Sequence, residues 1–303
     1  MYHILSLDGG GVRGMLTCIL LERLETARPG FVAGIDLFAG TSVGALLAAG
    51  LAAGFSPAQC REMYGILCPR LFTSSLWNRV RRLGNALGAR YSGEFFKQIL
   101  VDAFGDMRLG DLSKKVLIAT FHLDGQPFQS GQIRCWRPKF FNNFQEADKR
   151  ERIVDVVLRS CAAPTYFSSY QGYLDGGVVT NNPSMSALAQ TLDRTTGGQT
   201  LDNVALLSLG TGRFPKYLEP ADVNWGGLRW AQPLLQGLLE GNVGVAHYQC
   251  GRLLGERYHR LDPLLPAQVE LDDHQRIPML KQIAAETDLT PTLEWLAKYF
   301  CCT

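Results

Sequence analysis

The sequence predicts an α/β fold, in which apolar strands feed helices that pack back onto one central sheet. Three observations carry that prediction. The first fifty residues alternate strand, loop, helix, strand, turn and helix. Residues 116–121 and 204–209 are continuous apolar runs of the kind that form buried central strands. The helical stripe starting at Val43 has an Ala-rich opposite face, as expected of a helix buried on all sides against a sheet.

Taken in order, residues 2–7 form a half-alternating strand that enters the loop Asp8-Gly9-Gly10-Gly11-Val12-Arg13-Gly14. Residues 15–26 follow as a helix with Leu16, Ile19, Leu20 and Leu24 on one face, and Pro29-Gly30 ends it. Residues 35–39 are the second strand, with Asp36 inside it. It leads to Gly40-Thr41-Ser42-Val43-Gly44 and a helix carrying Val43, Leu46, Leu47, Gly50, Leu51 and Gly54 at helical spacing. Ser56-Pro57 supplies an N-cap and a first-turn proline for the next helix. Residues 93–104 and 153–161 are helices, 116–121 and 204–209 strands, and 132–141 an aromatic-rich edge strand and loop. Asn182-Pro183 caps a further helix, and the stretch from 213 to 303 reads as mostly helical, with His247 and His259 both in helical stretches. The expected organisation is a core over 1–212 with 213–303 packed on the same domain.

The bulk composition narrows the function classes. A chain of 303 residues with 46% hydrophobic residues is long enough for a substantial core. A formal net charge of +2 is too mild to argue for a nucleic-acid polymer as partner. The N-terminus shows no basic and apolar leader, and the longest apolar run is too short to span a bilayer. With eight cysteines and no C-x-x-C pair, reduced thiols in a cytoplasmic protein are expected, and Cys301-Cys302 reads as a frayed tail. No acidic residue occurs from 63 to 93, where Arg70, Arg79, Arg81, Arg82 and Arg90 interleave with apolar residues such as Trp77 and Tyr91. That stretch is either a solvated face over a core helix or a cap that meets anionic lipid headgroups.

Gly40-x-Ser42-x-Gly44 is the pattern of a nucleophile elbow, where a serine is held on a tight strand-to-helix turn beside the first amides of the helix. A serine needs a base. His247, His259 and His274 follow it in the order of a Ser-Asp-His triad, yet none sits in a loop after a strand, and the elbow comes after only two strands. The other choice is a carboxylate, with Asp8-Gly9, Asp124-Gly125 and Asp175-Gly176 each following an apolar strand. The run from Gly9 to Gly14 exposes backbone N–H groups, with Arg13 adding a cation, which are the parts of an oxyanion hole. Gly9-x-Gly11-x-x-Gly14 also fits a dinucleotide fingerprint, but that reading needs an acidic residue at the end of the second strand, which is absent.

Asp8-Gly-Gly-Gly-Val-Arg-Gly14, Gly40-Thr-Ser-Val-Gly44 and Asp175-Gly176-Gly177, with residues 162–167 and Asn181-Asn182-Pro183 around the last, resemble the patatin-like phospholipases. The resemblance covers roughly residues 2–209 and carries no motif beyond about Thr211. It implies a three-layer α/β/α sandwich with a mostly parallel sheet, and a Ser-Asp dyad without a catalytic histidine. Carried over by position, Ser42 is the nucleophile, Asp175 activates it, and Gly10, Gly11 and Arg13 bind the oxyanion. The implied activity is hydrolysis of phospholipid acyl esters at a membrane surface through an acyl-enzyme, with no metal or cofactor. Cyclic-nucleotide activation of a bacterial defence effector, and pairing of the apolar C-terminal segments into a homodimer, stay open.

Overall fold

The computed structural model describes residues 1–72, 91, 93–123, 135–215, 224 and 226–300. Arg79, Arg81, Arg82, Arg90, the Asp124-Gly125 pair and Cys301-Cys302 lie outside the described residues.

Seven strands form one sheet: β1 (Tyr2–Leu7), β2 (Leu37–Thr41), β3 (Lys115–His122), β4 (Arg137–Asn142), β5 (Tyr173–Asp175), β6 (Val204–Leu209) and β7 (Tyr258–Leu261). Their order is β4-β3-β2-β1-β6-β7, and every neighbour from β3 to β7 is parallel. Both β4 and β5 run antiparallel to β3. The side-chain period of two sorts the strands onto two faces. Leu5, Leu7, Phe38, Val116, Ile118 and Leu207 point to one apolar layer, whereas Ile4, Leu37, Leu117, Val204 and Leu206 point to the other.

The first face is covered by α1 (Gly14–Ala27), α2 (Val43–Ala52), α3 (Pro57–Leu71), α4 (Glu94–Phe104), α5 (Ile153–Ser160), α9 (Ile277–Glu286) and α10 (Thr290–Tyr299). The second is covered by α7 (Ser184–Leu192) and α8 (Gly227–Leu254), with the single turn α6 (Gly177–Thr180) beside them. The expected three-layer α/β/α sandwich is therefore present. Every residue of α2 is buried, as its Ala-rich back predicts. At the start of α3, Ser56 forms the expected cap, accepting from the Gln59 N–H while the Gln59 side chain accepts from the Ser56 N–H.

Two expectations need correction. The second strand begins at Leu37, and Asp36 precedes it, where its carboxylate accepts the His3 N–H (2.7 Å). His259 is not helical but lies in β7, which extends the sheet beyond β6. A four-residue strand holds too few residues for its period to show in the sequence. Among the described residues, no helix is long and apolar enough to cross a membrane, and the six described cysteines are all unpaired.

Candidate active site

The site is built at the carboxyl ends of the central strands, where an open α/β sheet places its crevices. Ser42 follows β2 directly and holds φ +54° and ψ −123°, a conformation that non-glycine residues avoid. The strain of the turn therefore rests on the serine, and the flanking glycines answer a different need. A Cβ on Gly40 would lie 2.1 Å from the Gly44 carbonyl oxygen, and one on Gly44 would lie 2.1 Å from that of Leu7. Only side-chain-free residues let α2 approach β1 and β2 this closely.

What holds Ser42 in place was not legible beforehand. Its N–H donates to the Ser160 hydroxyl (3.0 Å), which in turn donates to the Ala119 carbonyl of β3 (2.7 Å). Ser160 has no exposed surface, so the pair ties the strained residue to α5 and to the sheet.

Sheet register explains how Asp175 reaches Ser42. On β3, residues 115–119 pair with β2, and residues 120–122 pair with β5. Because β4 occupies residues 117–122 on the opposite side, β5 continues the lane that β2 leaves at Thr41. Asp175, opposite Thr120, thus stands just past the end of β2, where Ser42 turns. Burial pushes its carboxyl up to about 6, against the lowering pull of a hydrogen bond from the Gly177 N–H (2.7 Å) and of the nearby Ser42 hydroxyl. Cys161 also meets the Ser42 hydroxyl, but burial, reinforced by the Asp175 charge, drives its thiol well above the usual range and keeps it neutral.

The glycine loop lies across from these groups. Gly10 and Gly11 line the same cavity as Ser42 and Asp175, and neither N–H donates to an acceptor among the described residues. Gly9 donates to the Asn181 carbonyl (3.0 Å), and Val12 to that of Leu271 (2.9 Å). Gly11 adopts φ +53°, and a Cβ there would fall 2.2 Å from the Leu271 oxygen. Arg13 braces the loop through the carbonyls of Gly212 (3.2 Å) and Gly10 (3.5 Å) while bordering the cavity. Gly14, Gly176 and Gly177 are packed at the turns around these residues, against Val43, the Ala119 carbonyl and the Asp175 carboxylate.

The cavity measures about 520 Å³. Its lining combines apolar side chains such as Leu46, Leu67, Phe72 and Phe96 with the polar Arg13, Asn181, Glu240, Gln268 and Glu270. Sequence reasoning placed no site residue beyond Gly177, yet the second group draws on α8 and on residues 268–271. Asn242 of α8 also accepts the Asn181 N–H (2.8 Å) and donates to the Gly177 carbonyl (3.0 Å). Beneath the loop, buried Asp8 pairs with Arg260 of β7 (2.6 Å), which also binds Asp262 (2.9 Å).

None of the histidines weighed as a base lines the cavity. His247 bonds the Tyr258 hydroxyl (3.1 Å), His259 bonds Thr292 (2.9 Å) and stacks near Trp295, and His274 opens a short 3-10 turn. Among the described residues, no group of side chains is arranged to hold a metal ion.

A strained serine facing a buried carboxylate at the top of a three-layer sheet defines a hydrolase-like site. The family model for patatin-like phospholipases matches residues 5–188, and the chain belongs to that family. It is 30% identical to the Bacillus subtilis protein CotR, whose name marks it as a candidate sporulation hydrolase, over 98% of both chains. It is also 29% identical to the cGAMP-activated phospholipase of Pseudomonas aeruginosa, over 86% of this chain and 78% of that one. Among solved structures, VipD from Legionella pneumophila aligns over 98% of this chain and 67% of its own, with a TM-score of 0.46 and 12% identity.

Proposed function

We propose that this protein is a lipid acyl hydrolase that cleaves phospholipid acyl esters with Ser42 as nucleophile and Asp175 as base. The observation that carries the reading is the placement of Ser42, at φ +54°, in one largely apolar cavity with a buried Asp175. Ser42 Oγ attacks the ester carbonyl as its proton passes to Asp175. The carbonyl oxygen, now negative, is met by the N–H groups of Gly10 and Gly11, each donor worth about 3–4 kcal/mol in such sites. Arg13 holds that loop in shape and adds positive potential. Collapse expels the lysolipid alkoxide, which takes the proton from Asp175. Water then attacks the acyl-serine, again giving its proton to Asp175, and fatty acid leaves as Ser42 is restored. The apolar lining suits the acyl chain, and the polar groups suit the glycerol and headgroup.

The test is covalent labelling with a fluorophosphonate probe and peptide mapping, alongside fatty-acid release from mixed phospholipid micelles. Label on Ser42, with labelling and release both lost in Ser42→Ala, is expected. Full release by Asp175→Ala would sink the mechanism. Similarity to a cGAMP-activated phospholipase favours a second reading, in which the site is shut until a nucleotide binds. Labelling that appears only after cGAMP is added would select it.

A further inference from the structure

An apolar groove lies next to the active-site cavity and shares a wall with it. Pro138 and Phe140 of the edge strand line it on one side, and Leu238, Gly241 and Val245 of α8 on the other. Val178 lines both groove and cavity, and Leu239, the neighbour of Leu238, faces the cavity. Along α8, Leu238, Gly241, Val245, Tyr248 and Arg252 recur at three- and four-residue steps, so they form one stripe. That stripe is unusually bare: Leu238 and Val245 are 56% exposed and Tyr248 64%. Trp136, which alternation places on the same side of its strand as Pro138, is 72% exposed.

The chemistry of the patch points to one partner. Exposed aromatic and aliphatic side chains of this density mark an interaction surface, and tryptophan and tyrosine favour the headgroup level of a bilayer. Arg252 supplies a cation at the edge of the patch, over the Tyr248 ring at 5.7 Å. No carboxylate lines the groove among the described residues. A second copy meeting this face across a two-fold axis would bring Arg252 to a groove with no carboxylate to pair with it, whereas anionic lipid headgroups complement it.

We infer that this face docks on a phospholipid bilayer and so presents the cavity mouth to its substrate, an inference that rests on the lipid-hydrolase reading above. Leu238, Val245 and Trp136 enter the acyl boundary, while Arg252 meets phosphates.

The experiment uses the full chain carrying Ser42→Ala, sedimented with vesicles of phosphatidylcholine and phosphatidylglycerol. Adding Trp136→Ser, Leu238→Ser and Val245→Ser together should lower the bound-to-free ratio by about tenfold or more. With Ser42 intact, the same three changes should leave turnover of a water-soluble short-chain nitrophenyl ester unaltered. Vesicle binding equal to the parent would overturn the inference. So would a solution dimer that these changes dissolve while vesicle binding stays the same. If the hydrolase reading is what fails, ester turnover is absent in the Ser42 protein, yet vesicle binding still depends on the patch. If docking is what fails, ester turnover persists and vesicle binding ignores the patch.

Discussion

Asp175 carries a cost that its proposed role makes necessary. Its folded pKa of about 6 lies above the ordinary 3.8, so the folded chain holds the proton more tightly than the unfolded one. Its contribution to stability is fullest below the unfolded value and is lost as pH rises through the folded one. At neutral pH the ionised group thus destabilises the fold, by about 3 kcal/mol from the size of the shift. Asp175→Asn should melt higher than wild type at pH 7, with the gap closing between about pH 6 and pH 4. Melts at stepped pH check this, and a gap that does not change with pH would refute it. The same group sets the pH dependence of turnover, since kcat/KM needs the carboxylate and should fall as pH drops through about 6. Ser160 acts on the other partner. Ser160→Ala leaves the half-buried Ser42 N–H without its acceptor and should cost about 1 kcal/mol, with slower fluorophosphonate labelling at Ser42. The sequence makes Ser42 and Asp175 visible because glycines must surround them. Ser160 is invisible there, because a buried serine on an amphipathic helix carries no pattern of its own.

Among the elements, β5 has the largest effect for its size. Three residues long, it cannot show a period, yet its pairing with the far half of β3 sets Asp175 at the end of β2. The long apolar strands β1, β3 and β6 and the all-buried α2 were legible, since continuous apolar runs have few other folded uses. The coupling of α8 to α6 was not, because its hydrogen bonds come from one asparagine on a long helix. Asn242→Ala would leave the Asn181 N–H and the Gly177 carbonyl without their partner. Hydrogen exchange should then quicken at residues 177–181 while β1 stays protected, with fatty-acid release falling more than the melting temperature suggests. Unchanged exchange in that segment would show that α8 does not brace it.

Across the whole molecule, the residues after 212 complete the catalytic half. They bring β7 onto the sheet, α8 onto one apolar face, and Gln268 and Glu270 to the cavity. Arg260 is the firmest link. Burial disfavours its charge, but Asp8 and Asp262 outweigh that and keep the guanidinium protonated. Arg260→Met would strand the Asp8 carboxylate in the interior and should cost about 3–5 kcal/mol, read by urea unfolding. We propose on the same grounds that 1–212 does not fold alone as a stable unit. A soluble, monomeric 1–212 fragment with cooperative melting would disprove that. This dependence was not legible, because a resemblance resting on motifs says nothing where the motifs stop.

The Asp8–Arg260 pair spans 252 positions of the chain. On a ribosome, Ser42 and Asp175 emerge long before Arg260, since folding proceeds from the N-terminal side as synthesis advances. Until Arg260 arrives, the Asp8 carboxylate under the glycine loop lacks its partner. If the lipid-hydrolase proposal holds, a half-made chain would lack a finished site, and the last strand of the sheet would complete it.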